Sequence, residues 1–303
     1  MKKMDDELKA RIDAIPKGHA SDKRTPGCLV LEGGAWRGLY TEGVVDALMQ
    51  MDVNMQTVIG VSAGAMTALS YVSGQIGRAP HINLMHRHDS EYCGIKAFRR
   101  EHGVTGFHYL FEDLNELEPL DEKTFNDPTR RFVCTATNCL TGKNEYFENG
   151  KCKDIFKAVQ ASATVPYASA PVMMDGIPYL DGGIACKIPV DWALEQNYDR
   201  IIIVRTRDAS YRKQSKPVMA LNHMYKKYPM IETALNEEVP HYNVLLDRIQ
   251  NMSDTGRVFV IAPSVPVEIH RFESDVNKLT DLYYLGYEDT MKQAEALRGY
   301  LSK

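Results

Sequence analysis

Short apolar runs alternate with amphipathic stretches along the 303 residues, and turn-forming residues mark the junctions. The first run, Gly27-Cys28-Leu29-Val30-Leu31, is flanked by turn signals and predicts a buried strand. The glycine-rich Gly33-Gly34-Ala35-Trp36-Arg37-Gly38 follows. After it, Leu39, Val44, Val45, Leu48 and Met49 recur at helical spacing over 39–50. The order then repeats: Thr57-Val58-Ile59-Gly60-Val61 predicts a strand, Ser62-Ala63-Gly64 a turn, and 65–73 a small-residue helix. Two strand-turn-helix units imply parallel strands covered by helices. Further strands are expected over 131–136, 145–147, 200–205 and 257–261. The β-branched density of Ile201-Ile202-Ile203-Val204 suits a strand buried on both faces.

Between these elements the pattern changes. Residues 74–128 are rich in His, Arg, Glu and aromatics and read as a helical insertion beside the sheet. Phe107, Tyr109 and Phe111 alternate there, as core or as the lining of an acyl channel. The stretch 206–250 begins as a polar loop and continues with helical periodicity around Met219, Met224, Tyr228, Ile231, Leu235 and Leu245. Met219, Met224 and Met230 suit helix packing or a lid surface. A short helix is expected over 5–14 and one or two surface helices over 275–297. With no internal repeat or long linker, one elaborated domain is expected. It has an N-terminal extension at 1–26, a core at 27–206 with its insertion at about 74–128, and a helical region at 207–303. That last region carries a further strand and packs on the same domain.

Composition narrows the function classes. With 36 basic and 40 acidic side chains the net charge is −4, so nothing draws a polyanion over the whole surface and no nucleic-acid partner is expected. The pairs Arg99-Arg100 and Lys226-Lys227 read as solvated helix faces. Six cysteines without a C-x-x-C pair are neither a disulfide framework nor a metal site, which points to a reducing compartment. The charged start of the chain has no signal-peptide core, and no run of about 20 apolar residues predicts a membrane span. A cytoplasmic location and at most transient contact with a membrane surface are the expectations.

The chemistry is carried by Gly60-Val61-Ser62-Ala63-Gly64, a G-x-S-x-G pattern set between a predicted strand and a predicted helix. A serine on such a turn exposes its hydroxyl above the sheet; the alternative is a turn serine that only caps the helix. An acyl-transfer nucleophile needs donors for the developing oxyanion. Gly33, Gly34 and Ala35, between a strand and a helix, offer backbone N–H groups, as does Ala63 directly after the serine. Arg37 either supports that loop or faces a phosphate-bearing substrate. A nucleotide loop fits less well, since the P-loop ending and the G-x-G-x-x-G spacing are both absent. For the base, none of the nine histidines has a strand-end setting, and His81, His86 and His88 lack a metal-like ligand pattern. Asp181-Gly182-Gly183 instead places a carboxylate at the end of an apolar segment, although Asp-Gly-Gly is also an ordinary turn.

Four segments together resemble the patatin-like phospholipase family, in particular bacterial, cytoplasmic-type members: 33–38, 60–64, the block Ala161-Ser162-Ala163-Thr164-Val165-Pro166, and Asp181-Gly182-Gly183. Order and spacing agree over about 27–206. The resemblance implies a three-layer α/β/α fold with a mostly parallel central sheet and helical insertions. It also implies a Ser62–Asp181 dyad that needs no histidine; no cofactor or metal is expected, since no metal-like ligand pattern or calcium loop is present. Gly33, Gly34, Ala35 and Ala63 would form the oxyanion hole, supported by Arg37, Gly38, Gly60, Gly64, Gly182 and Gly183. The activity implied is hydrolysis of lipid carboxylic esters, phospholipase A or lysophospholipase-like, through an acyl-enzyme. A short-chain esterase, an acyltransferase or a non-catalytic binding protein on the same fold are the alternatives. The family often has a third glycine where Ala35 stands.

Overall fold

A computed structural model describes residues 5–214 and 225–303. In chain order its strands are β1 (Gly18–His19), β2 (Thr25–Leu31), β3 (Met55–Val61), β4 (Gln75–Ile76), β5 (Arg131–Asn138), β6 (Asn144–Glu148), β7 (Val172–Met174), β8 (Ile177–Asp181), β9 (Ile201–Val204) and β10 (Phe259–Ile261). β1 and β4 make a separate antiparallel ribbon, and the other eight form one sheet. Its centre is parallel, in the order β10-β9-β2-β3-β5. Every strand expected from an apolar run is present, with ends displaced by a residue or two.

The helices are α1 (Asp6–Asp13), α2 (Gly38–Gln50), α3 (Ala63–Val72), α4 (Arg78–Met85), α5 (Ile95–Glu101), α6 (Leu114–Leu117), α7 (Glu122–Phe125), α8 (Ile155–Ser162), α9 (Val190–Glu195), α10 (Pro229–Asp254), α11 (Val276–Lys292) and α12 (Ala294–Leu301). Alternation along the strands divides them into two layers. Leu29, Leu31, Phe132, Cys134, Ile202 and Val204 face one way, into a core shared with α1, α2, α3, α8 and α11. Cys28, Val30, Ile59, Val133, Ile201 and Ile203 face the other way, against α9 and α10. Side chains that alternate with period two and are buried on both sides account for the unbroken apolar runs. The result is a three-layer α/β/α sandwich.

β5 organises the end of the sheet where the site lies. β3 runs parallel to it over Arg131 to Thr135, with Val61 opposite Thr135. β6 returns antiparallel along the other edge and occupies Val133 to Thr137. β8 therefore pairs with Ala136, Thr137 and Asn138 on the edge that β3 has just left, with Asp181 opposite Ala136. β7 and β8 were not expected as strands. They form a hairpin across Asp175 and Gly176, both at positive φ (46° and 82°), as a two-residue primed turn requires.

The insertion holds α4 to α7 and a π-helical turn at Tyr109–Asp113. Beyond residue 207 the chain clads both faces: α10 on one, α11 on the other, with β10 extending the sheet past β9. α11 crosses α2 at very close range, since a Cβ on Gly43 would stand 2.0 Å from the Tyr283 carbonyl oxygen and one on Gly286 2.1 Å from that of Tyr40. Met219 and Met224 lie outside the described residues, and Met230 is exposed at the start of α10. No helix among the described residues is long and apolar enough to cross a membrane.

Candidate active site

Ser62 is the residue between the end of β3 and the start of α3. Its φ of 55° and ψ of −123° are unusual for a non-glycine residue, and such strain persists only where surrounding contacts hold it. Those contacts are tight. A Cβ on Gly60 would meet the Gly64 backbone at 2.6 Å, and one on Gly64 would stand 2.5 Å from the Leu31 carbonyl oxygen. The two glycines of the motif thus let strand, turn and helix stack directly. The Ser62 carbonyl accepts the first N–H groups of the helix, from Ala65 and Met66. Its own N–H donates to Ser162 Oγ at 2.8 Å. Ser162, fully buried at the end of α8 within the Ala161 to Pro166 block, is a site residue that the sequence pattern does not single out.

Asp181 meets Ser62 because both follow from the register on β5. Ser62 Oγ donates to Asp181 Oδ2 at 2.7 Å, across 119 residues of sequence. Asp181 Oδ1 accepts the Gly183 N–H at 2.7 Å, and Thr137 Oγ1 donates to the Asp181 carbonyl at 2.8 Å. Gly182 lies against the Thr135 carbonyl, which a Cβ would approach to 2.3 Å. Burial pushes the Asp181 carboxyl above its ordinary value. The Ser62 hydrogen bond, the Lys187 charge, the Gly183 N–H and the Arg271 charge oppose that rise without cancelling it. Among the described residues no histidine shares a hydrogen bond with Ser62 or Asp181; His86 pairs with Asp89 at 2.6 Å. Nor does any cluster of His, Cys, Asp or Glu among them suit a metal ion.

The glycine loop lies against this pair. Gly33 packs on Ser62 and Gly38 on Ala63, with Cβ-to-Cβ distances of 3.0 and 2.9 Å were side chains present. The N–H groups of Gly34, Ala35 and Ala63 make no hydrogen bond among the described residues. Gly33 differs from the expectation: its N–H donates to the Lys187 carbonyl at 3.3 Å, which leaves Gly34, Ala35 and Ala63 as the open donors. Ala35 stands at φ +49° where a glycine would be relaxed. Arg37 sits in a partly buried charge cluster. Burial and the Arg207 charge lower its pKa, and Glu32, Tyr242 and Tyr211 oppose them.

A second arm of this network was not visible in the sequence. Glu32, 1% exposed, precedes the glycine loop; its Oε1 accepts from Tyr242 Oη and its Oε2 from the Thr206 N–H at 2.5 Å. Lys187 donates to the Gly183 carbonyl at 3.2 Å and pairs with Glu238 at 2.7 Å.

From Ser62 a cavity of about 440 Å³ runs along α3 beneath the insertion, lined by Leu39, Met66, Leu69, Ile82, Leu110 and Phe156 among others. Its size and apolar lining suit one acyl chain. Phe107 and Phe111 also line it, but Tyr109 does not, because the π-helical turn carries its hydroxyl to Asp89 at 2.8 Å.

Two family profiles match the chain: patatin-like phospholipase over residues 29–194, and DUF6363, a domain of unknown function, over residues 228–302. The uncharacterized protein YjjU of Escherichia coli strain K12 is 26% identical over 267 residues, covering 85% of this chain and 74% of that one. The probable lipid hydrolase 463L of Invertebrate iridescent virus 6 is 24% identical over 239 residues, covering 71% and 79%. Lysophospholipase nte1 of Emericella nidulans is 26% identical over 162 residues, 51% of this chain but only 10% of that much longer protein.

Proposed function

This chain belongs to the patatin-like phospholipase family, and from that premise we propose that it is a serine acyl hydrolase that cleaves carboxylic esters of lipids through Ser62 and Asp181. The observation that carries the reading is the 2.7 Å hydrogen bond to the buried Asp181 carboxylate from Ser62 Oγ, a serine that lines an apolar cavity. The names of the viral lipid hydrolase and the fungal lysophospholipase support the same substrate class.

In the first half-reaction Asp181 takes the Ser62 proton as Oγ attacks the ester carbonyl. An aspartate of ordinary pKa is a poor base at neutral pH, and burial of Asp181 moves it toward usefulness. The oxyanion forms where the Gly34, Ala35 and Ala63 N–H groups are open, and preorganised donors of this kind lower the barrier by several kcal/mol (about 3–4 for one donor). Collapse expels the alcohol, which leaves with the proton held by Asp181, and the acyl group remains on Ser62. Water, deprotonated by Asp181, then releases the acid and restores the hydroxyl. The acyl chain occupies the cavity along α3, and the head group stays near the rim. Phe272, exposed yet lining the cavity, and the neighbouring Arg271 make that rim suited to transient contact with a lipid surface.

The test is the initial hydrolysis rate of p-nitrophenyl esters from C4 to C16, for the wild type beside Ser62→Ala. Turnover that falls to background in the variant is expected, with the longer chains preferred. Equal rates in both folded proteins, or none in either, would remove the reading.

A further inference from the structure

We propose that α10, which lies in the region matched by a family of unknown function, braces both arms of the active site, with Glu238 and Tyr242 as its positioning residues. The inference rests on the Ser62–Asp181 reading and adds to it a role for residues outside the patatin-like match, which ends at 194.

Glu238 and Tyr242 are four residues apart on α10 and so project from one face, a single turn apart. Glu238 reaches the acid arm. Its Oε1 binds Lys187 at 2.7 Å and Lys213 at 2.5 Å. Lys187 in turn donates to the Gly183 carbonyl at 3.2 Å, while its own carbonyl receives the Gly33 N–H at 3.3 Å. One lysine thereby ties the loop of Asp181 to the loop of the oxyanion donors, and α10 holds that lysine. Tyr242 reaches the other arm. Its hydroxyl donates to Glu32, whose second oxygen takes both the N–H and the hydroxyl of Thr206, at 2.5 and 3.1 Å. Thr206 closes on the glycine loop: a Cβ on Gly34 would stand 2.8 Å from its hydroxyl. Within 29–194 Lys187 already joins the two loops; α10 adds the ion pair that holds Lys187 and, through Tyr242 and Glu32, the hold on Thr206.

The acid arm also carries charge. Two cations bear on Asp181, Lys187 on its own loop and Arg271 before α11, and Lys187 is in turn surrounded by Glu238 on α10 and Lys213 after β9. The Lys187 and Arg271 charges lower the Asp181 pKa, against the burial that raises it. Glu238 stays ionised: burial works to raise its pKa, but Lys187 and Lys213 outweigh burial. Its negative charge, paired with Lys187, offsets part of the cationic charge that lowers Asp181 and so favours the basicity of that carboxylate.

The experiment is the pH profile of kcat/KM for a soluble short-chain ester with wild type, Glu238→Gln and Tyr242→Phe, each first titrated with a fluorophosphonate that labels Ser62. Glu238→Gln leaves the lysines uncompensated, so the acidic limb should move down by about half a pH unit or more, with kcat lowered about tenfold and KM little changed. Tyr242→Phe should lower kcat without moving the limb. If Glu238→Gln does not fold, Lys187→Met makes the same test with opposite sign, the limb moving up. A wild type that is labelled and active, beside variants whose limb and kcat match it, overturns the brace and leaves the dyad reading intact. A wild type that is inert and unlabelled removes the dyad reading and the brace with it.

Discussion

Asp181 pairs with Ala136, the residue directly after the Thr135 that pairs with Val61. Two strands running in opposite directions thus end head to head against one continuous strand, and Asp181 at the end of one meets Ser62 just past the end of the other. The separation of Ser62 from Asp181 is set by a hydrogen-bond ladder, which does not stretch.

This register predicts that the acid tolerates neither neutralisation nor lengthening. Asp181→Asn removes the proton acceptor and should lower kcat by about 10²–10⁴-fold. Asp181→Glu keeps the charge but adds a methylene to a buried side chain that β8 cannot withdraw, and should fall by at least about 10²-fold. Thermal melts should show both variants folded. A folded Asp181→Asn enzyme with normal turnover would sink the assignment.

Among the described residues, the Ser62 N–H donates to Ser162 Oγ and to no other acceptor. Ser162→Ala leaves that buried donor unpaired, at a cost of about 1–3 kcal/mol. The strained turn should relax with it, so kcat should fall by roughly tenfold while KM holds. Chemical denaturation and steady-state rates check both parts, and a variant as stable as wild type would count against this role.

Ala35 adopts φ +49°, a conformation that costs a non-glycine residue about 1–2 kcal/mol. Ala35→Gly relieves it but gives the unfolded chain more freedom, an offset of about 0.5–1 kcal/mol. A net gain of about 0.5–1 kcal/mol is expected in the denaturant midpoint, with activity kept within a few-fold. A loss of stability would show that the Ala35 methyl makes a contact worth more than the strain.

Two buried carboxyls outside the dyad set a pH dependence of stability. Burial, aided by Asp46 and opposed by the Asn83 hydrogen bond, raises Glu42 to about 8. Burial raises Asp46 to about 7, against the Gly77 N–H and the Tyr283 hydroxyl. Both folded values lie above the unfolded ones, so the stability these protons confer is complete below about pH 4. It is lost as pH climbs to 7–8. Each group should contribute a slope of about 1.4 kcal/mol per pH unit inside that window. Thermal melts from pH 5 to 8 should fall for the wild type and flatten for Glu42→Gln; parallel curves would contradict the burial argument.

What could be read in the sequence was what leaves a local pattern. β2, β3, β5 and β9 are apolar runs because both their faces are buried, and the turn at Ser62 is marked by glycines that backbone contact requires. The β7–β8 hairpin is only weakly marked: Asp175-Gly176 is the favoured pair for such a turn, but Pro178 and the short flanking runs obscure the strands. The network around Glu32, Lys187, Glu238 and Tyr242 has no such mark. Its members are polar residues joined across as many as 210 positions, and nothing near any of them announces a partner. Glu32 alone offered a hint, as a carboxylate directly after a buried strand.

The wrapping of the sheet by its C-terminal helices bears on how the chain is made. When the ribosome has released everything through β9, that strand still exposes an unpaired edge, and the groove on α2 beside Gly43 lies open to water. Both are closed by segments synthesised later, β10 and α11, after a delay on the order of seconds at roughly 5–20 residues per second. During that interval the nascent protein presents the two surfaces that invite wrong partners, a bare strand and an apolar trough. The edge of β9 and the groove on α2 therefore stay open through synthesis until β10 and α11 follow.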